Sequence, residues 1–470
     1  MSYLPVTLYC LVVGLAWIFI PHPLVVVAAG LAPLVVINVV NYPYVVCLAF
    51  IIFSFFRIHE VFPFLNPLKL PSLLALGSLA VLGYHLFIVK NIKVYWSKEL
   101  NWFAAFFGLV VIGIPFATYK PGAIAYFIGI YSKIGIMALA IVWLSRSPKD
   151  FLLATRLFTI SGIVVASKAM SNKAAGIGLV EGTRVTIGRD IDSVLGDPND
   201  LSLVLLFPAS FAMSLIFAKG LSKLDRLMGL IGFGTMVAGI IATQSRGGLL
   251  GILTISGFFA WHKVKSKMVL IGGAAVLVPI LLVAAGISDR SSGGAAEDGI
   301  DESAMGRLYA WEAAFNMAVA NPLTGVGLDN FLGNYFFYSP HWDGMNHAVH
   351  STWLGVLAES GFLGLAVFLT LLASLVRGLL KSLKKISIIQ AFDSTAGQAA
   401  DSVPLQPMLP ALPDIVQPYL FGLMAGLASF CVTGSFLTQG YTWPFYILMA
   451  LSVSLMKYVD SQCEARGIKI

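Results

Sequence analysis

The chain has 470 residues, of which 58% are hydrophobic and 11% charged, with a net charge of +7. A soluble domain carries about 25% charged residues, so there is too little charge here to coat a water-soluble globule of this size, and the bulk of the chain belongs in a bilayer. The basic excess falls in short clusters between apolar runs, not in one patch or stripe, which argues against a nucleic-acid partner and reads as a set of topology determinants.

Apolar runs of roughly 17–25 residues can span a membrane as helices, and about 14 follow one another: 3–20, 22–40, 42–56, 71–89, 101–118, 122–144, 150–168, 200–218, 226–244, 246–262, 268–286, 351–376, 415–437 and 441–458. The N-terminus shows neither a basic n-region nor a small-residue cleavage site, so the first run reads as a retained span. The third run is short. The two runs that meet at Ser245 leave room only for a tight turn or a broken helix, and Pro208 and Pro279 are expected to kink their helices. The fold class is therefore all-α, a polytopic helical membrane protein of one integral domain. Residues 1–286 hold the first eleven of about 14 spans and an outer loop at 169–199. Residues 287–350 form a large, partly helical periplasmic loop, and 351–470 hold the last spans.

Orientation follows from the loops. Lys90, Lys93, Lys98, Arg146, Lys149, Lys219, Lys223, Arg226, Lys263, Lys265, Lys267, Arg377, Lys381, Lys384, Lys385, Lys457, Arg466 and Lys469 all fall on one side under alternating spans, out of thirty lysines and arginines in total. By the positive-inside rule that side is cytoplasmic, and both termini with it. The four cysteines, Cys10, Cys47, Cys431 and Cys463, show no metal-site or disulfide spacing.

The large outer loop opens with a Ser/Gly/acid-rich stretch, Asp289 to Ser303, expected to be mobile. An amphipathic helix is expected from about 304 to 320, with Met305, Leu308, Trp311, Phe315 and Val319 as its apolar face. Asn321-Pro322 ends it, Gly325-Val326-Gly327 makes a turn, and Asp329 can cap a short helix through Tyr335. The Ser/Ala/Pro/Gln-rich stretch 387–413 reads as a cytoplasmic loop.

Basic and titratable residues on the outer side need a reason, because basic residues collect inside. Arg184, Arg246, Arg307 and His350 are such residues, and an anionic ligand, a lipid-linked phosphate above all, would supply one. In Gln244-Ser245-Arg246-Gly247-Gly248 the guanidinium cannot shed its charge, the glycines permit close backbone approach, and amides at a helix start favour phosphate; an arginine snorkelling to headgroups is the alternative. Arg307 opens the amphipathic helix, where it opposes the helix dipole, or else pairs with Glu302 or Glu312. His350 can serve as a general base near neutral pH, or can simply cap the helix that follows. His347 is its rival. A two-histidine metal site lacks a carboxylate at ligand spacing, so no metal is expected. Glu359, inside a span, needs a partner or a proton. It either pairs with and orients an arginine or packs as a hydrogen-bonded helix residue. Arg184 and Arg189 can add to an anion site or pair with Asp190 and Asp192, and Arg184 is the candidate kept.

Three stretches, in order, carry a resemblance: Ser245-Arg246-Gly247-Gly248; Gly306-Arg307-Leu308-Tyr309-Ala310-Trp311 with Asn321-Pro322-Leu323-Thr324-Gly325-Val326-Gly327-Leu328-Asp329-Asn330-Phe331; and His350-Ser351-Thr352-Trp353-Leu354 with Ala358-Glu359-Ser360-Gly361-Phe362-Leu363-Gly364. Together they resemble the bacterial O-antigen ligase / O-antigen polymerase superfamily over about 245–365, and Asp197-Pro198-Asn199-Asp200 adds a weaker likeness. The resemblance implies a C-type inner-membrane glycosyltransferase working at the periplasmic face. It would move a glycan from an undecaprenyl-diphosphate carrier to an acceptor hydroxyl on lipid A core, on another carrier-linked glycan or on a protein, for lipopolysaccharide or exopolysaccharide synthesis. No metal or nucleotide cofactor is implied, since the lipid diphosphate is itself the leaving group. Carried over by motif, Arg246 and Arg307 hold the diphosphate and His350 serves near the acceptor. Arg184, Ser245, Gly247, Trp311, His347, Ser351 and Glu359 are the further substrate-binding candidates. Family members often have Asn after the histidine, and this chain has Ser351. A protein O-oligosaccharyltransferase of the same superfamily, or a lipid or glycan transporter or flippase, is the alternative.

Overall fold

The computed structural model describes residues 39–191, 193–284, 302–400 and 410–468, with a few isolated positions before residue 39. The main helices are α1 (Pro43–Ser54), α2 (Leu70–Ile88), α3 (Lys98–Phe116), α4 (Lys120–Leu144), α5 (Pro148–Ala174), α6 (Pro198–Phe217), α7 (Lys223–Thr243), α8 (Arg246–Lys263), α9 (Lys267–Ala284), α10 (Glu302–Ala320), α11 (Phe331–Tyr338), α12 (Thr352–Ala400), α13 (Val416–Thr433) and α14 (Trp443–Ala465). One antiparallel strand pair, β1 (Leu179–Val180) and β2 (Arg184–Val185), lies between α5 and α6. Among the described residues eight helices are long and apolar enough to cross a membrane, and the chain is an all-α polytopic membrane protein. The expected runs 3–20 and 22–40 lie almost wholly outside the described residues, as does 289–303 up to residue 301. The run 42–56 yields only the 12-residue α1.

α6 is the centre. Leu201, Leu205, Ala209, Phe211, Ala212 and Leu215 bury every face of it, as befits a helix that is apolar all round, and α5, α7, α8 and α13 surround it. Small residues set the spacing. A Cβ on Gly251 of α8 would lie 2.3 Å from Leu206 and 2.7 Å from Thr433, so only glycine lets α8 fit between α6 and α13.

α12 is two limbs joined at Gly361, whose φ of 69° and ψ of −175° are not helical. The rings of Trp353 and Phe368 are 6.3 Å apart, whereas fifteen residues of straight helix would separate them by about 22 Å. The chain therefore turns sharply at Gly361. The first limb, 352–360, starts against Gly434 and Leu437 beyond the end of α13 and finishes at Pro322. The second limb spans the bundle. The loops at 175–197, 321–351 and 434–442 share this end of the molecule, the loop end.

At the loop end a satellite core forms from Ala310, Ala313, Ala314 and Met317 of α10 with Val326, Phe331, Tyr335, Val349 and Ala358. This corrects the expected apolar face of α10: its alanines face inward, because the 352–360 limb comes close, while Leu308, Phe315 and Val319 are 45%, 52% and 56% exposed. Two further expectations change. α11 is not capped by Asp329: Asn330 holds the cap position without a side-chain bond, and the carboxylate of Glu359, far along the chain, accepts the Phe331 amide at 3.2 Å. The stretch 387–400 is not loop. α12 continues through it with Ile386 and Ile389 buried, held to α14 by Lys385–Asp460 at 2.7 Å and to the chain just beyond α14 by a two-pronged Arg466–Asp393 pair at 2.8 and 3.1 Å.

Arg156, a charge inside α5, meets Asp225 near the start of α7 with both forks, Nε–Oδ1 at 2.7 Å and Nη2–Oδ2 at 2.9 Å. Arg156→Ala strands a buried carboxylate and is expected to lower stability by on the order of 1–3 kcal/mol, read as a lower Tm in detergent. The double variant with Asp225→Ala should recover part of that loss; additive losses would show the pair is not coupled.

Candidate active site

Three helices begin close together at the loop end, and polar side chains tie their starts into one network. Asp197 caps α6, accepting the amides of Asn199 and Asp200 at 2.7 and 3.2 Å. Ser245 caps α8, accepting the Gly248 amide at 3.2 Å, after Gln244 turns the chain with a φ of 51°. Ser351 caps the 352–360 limb, its hydroxyl facing the Leu354 amide at 3.4 Å. The Oδ1 of Asn199 accepts Ser245 Oγ at 3.0 Å and Arg184 Nη2 at 3.0 Å. Gln439 reaches Asp200 through its side chain at 3.3 Å and Thr352 through its amide at 2.9 Å. Helix starts carry partial positive charge and unpaired amides, so this network gathers three such ends.

Arg246 is the first residue of α8 and its side chain is exposed there. Beside it, a Cβ built on Gly247 would lie 3.7 Å from side-chain atoms of Phe436 and Leu437, and Leu437 O accepts Thr352 Oγ1 at 2.7 Å. The starts of α8 and of the 352–360 limb thus adjoin the same short segment, 436–437. From the other side α10 closes in. Trp311 Nε1 donates to Val349 O at 3.1 Å, and Arg307, one turn earlier on α10, acts electrostatically on the His350 ring.

His350 has a backbone φ of 45°, a conformation that costs a non-glycine residue on the order of 1 kcal/mol and persists here between the Val349 and Ser351 anchors. Burial lowers its imidazole below the ordinary value, the Arg307 guanidinium lowers it further, Asp197 opposes, and His347 adds a small depression. The ring is therefore neutral near pH 7, the form that accepts a proton. His347 is engaged differently, with Nε2 2.8 Å from Asp343 Oδ2.

Glu359 stands at the far end of the nine-residue limb, about 13 Å along it, and serves the joint between the α10–α11 region and the span. Arg184 is buried, and its guanidinium meets Thr243 O at 3.3 Å and Asn199, with Glu181 at 3.7 Å. These contacts are those of a residue that organises the starts of α6 and α8. The structure thus brings Ser245, Arg246, Gly247, Arg307, Trp311, His350 and Ser351 to one end of the bundle, sets His347 three residues off, and leaves Glu359 apart. Sequence reading overlooked Asn199, Thr352 and Gln439. Asn199 lies in the Asp-Pro-Asn-Asp stretch, whereas nothing local marks Gln439. Among the described residues no three His, Cys, Asp or Glu side chains group at metal-ligand spacing.

The class so defined is a polytopic membrane protein with arginines and a neutral imidazole gathered over helix N-termini at one end. Residues 231–369, the segment that holds Arg246, Arg307 and His350, match the family model described as O-antigen ligase. Over that segment the chain is similar to the O-antigen ligase family, and the match supports a place in the O-antigen ligase/polymerase superfamily. A search of curated proteins finds no match to the chain.

Because Arg307 holds the His350 pKa down, Arg307→Gln is expected to raise it. Carbon-13 imidazole titration should place the wild-type midpoint below the ordinary histidine value of about 6.5 and move it upward in the variant. An unmoved midpoint would show that the guanidinium does not face the ring.

Proposed function

We propose that the chain transfers a glycan from undecaprenyl diphosphate to an acceptor hydroxyl, at the periplasmic face of a bacterial inner membrane, as an O-antigen ligase or polysaccharide polymerase. What supports the reading is that Arg246 stands exposed at the start of α8, that Arg307 on α10 acts on a neutral His350, and that the starts of α8 and of the 352–360 limb adjoin the same 436–437 segment. Sidedness follows from the lysine-rich clusters at the other ends of the helices.

The residues divide the chemistry as follows. The acceptor oxygen forms a bond to the anomeric carbon while the bond from that carbon to the diphosphate oxygen breaks, its electron pair leaving with the diphosphate. Arg246, Arg307 and the amides at the start of α8 stabilise that growing negative charge as fixed dipoles and forks, which need no reorganisation during the step. His350 takes the proton of the attacking hydroxyl. A displacement of this kind inverts the anomeric centre. Ser351 and Trp311 hold the His350 backbone, and Arg184 acts through Asn199 and Ser245 on the start of α8.

Purified protein given carrier-diphosphate glycan and an acceptor should release carrier diphosphate. Arg246→Ala and His350→Ala should reduce release by on the order of 100-fold or more while leaving expression and Tm unchanged. Full turnover by His350→Ala would remove the general-base role. Transport of intact carrier-linked glycan without release would favour a flippase.

A further inference from the structure

α10 shows its large apolar side chains and hides its small ones. Leu308, Phe315 and Val319 are spaced i, i+7, i+11, so they form one narrow stripe, and all three are about half exposed. The opposite face is fully buried on the 352–360 limb and the α11 region. Such a stripe in water would be an association liability.

The stripe does not end at α10. The Phe315 ring lies 6.2 Å from Phe362, the first residue of the spanning limb of α12. Phe362, Leu363 and Leu369 are 43%, 44% and 43% exposed on that limb, and Leu323, past the end of α10, is 69% exposed. The apolar surface therefore passes without a break from α10 onto a helix whose outward face meets acyl chains. The edges fit as well. Trp311 and Arg307 border the stripe on one side, and Glu312 on the other lies 3.4 Å from His341 Nε2. An apolar stripe with aromatic and basic borders is the pattern of a helix lying in the interface plane.

We propose that α10 is seated in the membrane surface at the loop end, with Leu308, Phe315 and Val319 among the acyl chains of that leaflet. The bilayer then forms one wall of the region around the site. The helix floats at a fixed depth, and Arg307, adjacent to Leu308, is held at the level of lipid phosphates. Trp311 passes that depth on to the Val349 carbonyl and hence to His350. The proposal depends on the spanning fold and not on glycan transfer, so either can fail alone.

The test uses the full chain in vesicles of phosphatidylethanolamine and phosphatidylglycerol. Benzoylphenylalanine is placed, one at a time, at positions 308, 315 and 319, and at the exposed loop position 343 as a control. Illumination followed by intact-mass measurement should show an adduct of one phospholipid at the three stripe positions and none at 343. A covalent dimer at the stripe would assign it to a second copy, and absence of any adduct there would assign it to water; both overturn the proposal. In the unsubstituted chain, hydroxyl-radical footprinting in the same vesicles should leave Leu308, Phe315 and Val319 unoxidised, and oxidation of the stripe would overturn it independently of any substitution.

Discussion

The loop end depends on one exchange of hydrogen bonds. Breaking α12 at Gly361 frees carbonyls that a continuous helix would have satisfied, and the glycine turn supplies the replacements: Val326 N–H to Ala358 O at 2.8 Å and Gly327 N–H to Glu359 O at 3.2 Å. Phe362 N–H returns the exchange by bonding Pro322 O at 2.8 Å, and the Glu359 carboxylate takes the Phe331 amide. Each bond is worth about 1 kcal/mol net, and more is lost when a buried group is left unpaired. A Cβ on Gly325 would lie 2.3 Å from Ala358 O, and one on Gly361 would lie 2.5 Å from Pro322 O, both at positive φ. The two backbones interlock only because both contacts are glycine.

This joint explains why motifs far apart in the chain belong together. Asn-Pro-Leu-Thr-Gly-Val-Gly and Ala-Glu-Ser-Gly-Phe-Leu-Gly are the two halves of one backbone contact. By fixing where α10 ends and where the 352–360 limb ends, they fix the opposite ends too, where Arg307 acts on the His350 ring. His350 is about 13 Å from the joint along the limb, yet its position is inherited from it. A second tether, Thr118 N–H and Oγ1 to Val326 O at 2.9 and 3.2 Å, ties the same turn to the loop between α3 and α4.

Much of this was legible in the sequence, and the misses have physical causes. Run length and hydropathy identify spans whose only requirement is an apolar surface, so α2 to α7 lie where expected. Period alone cannot tell which apolar stripe of a helix near a bilayer faces protein. On α10 the rule that large side chains face inward fails because the second apolar surface available is lipid. The short α11 was expected to be capped locally by Asp329, but its cap comes from Glu359, a contact made by the sharp bend at Gly361 that no local pattern announces. The stretch 387–400 looks like loop by its Ser, Ala and Gln content, yet those residues tolerate a helix once Ile386 and Ile389 are buried. Arginine and histidine candidates were easier, because a charge outside the positive-inside pattern is visible without any structure.

The arginines read alike in the sequence and differ in place. Arg184 is buried, bonded to Thr243 O and Asn199, and closes the loop over α7 and α6; its contacts are those of an organiser. Arg246 is exposed at the start of α8, and Arg307 on α10 acts on the His350 ring. The departure at Ser351 fits the same distinction. The residue after His350 is the N-cap of the 352–360 limb, and its hydroxyl faces the Leu354 amide. Asparagine and serine are nearly equal as N-caps, so exchanging one for the other keeps the limb capped and the His350 backbone in its left-handed turn. In this chain the position needs a short side chain with an acceptor oxygen, which serine supplies as well as asparagine does.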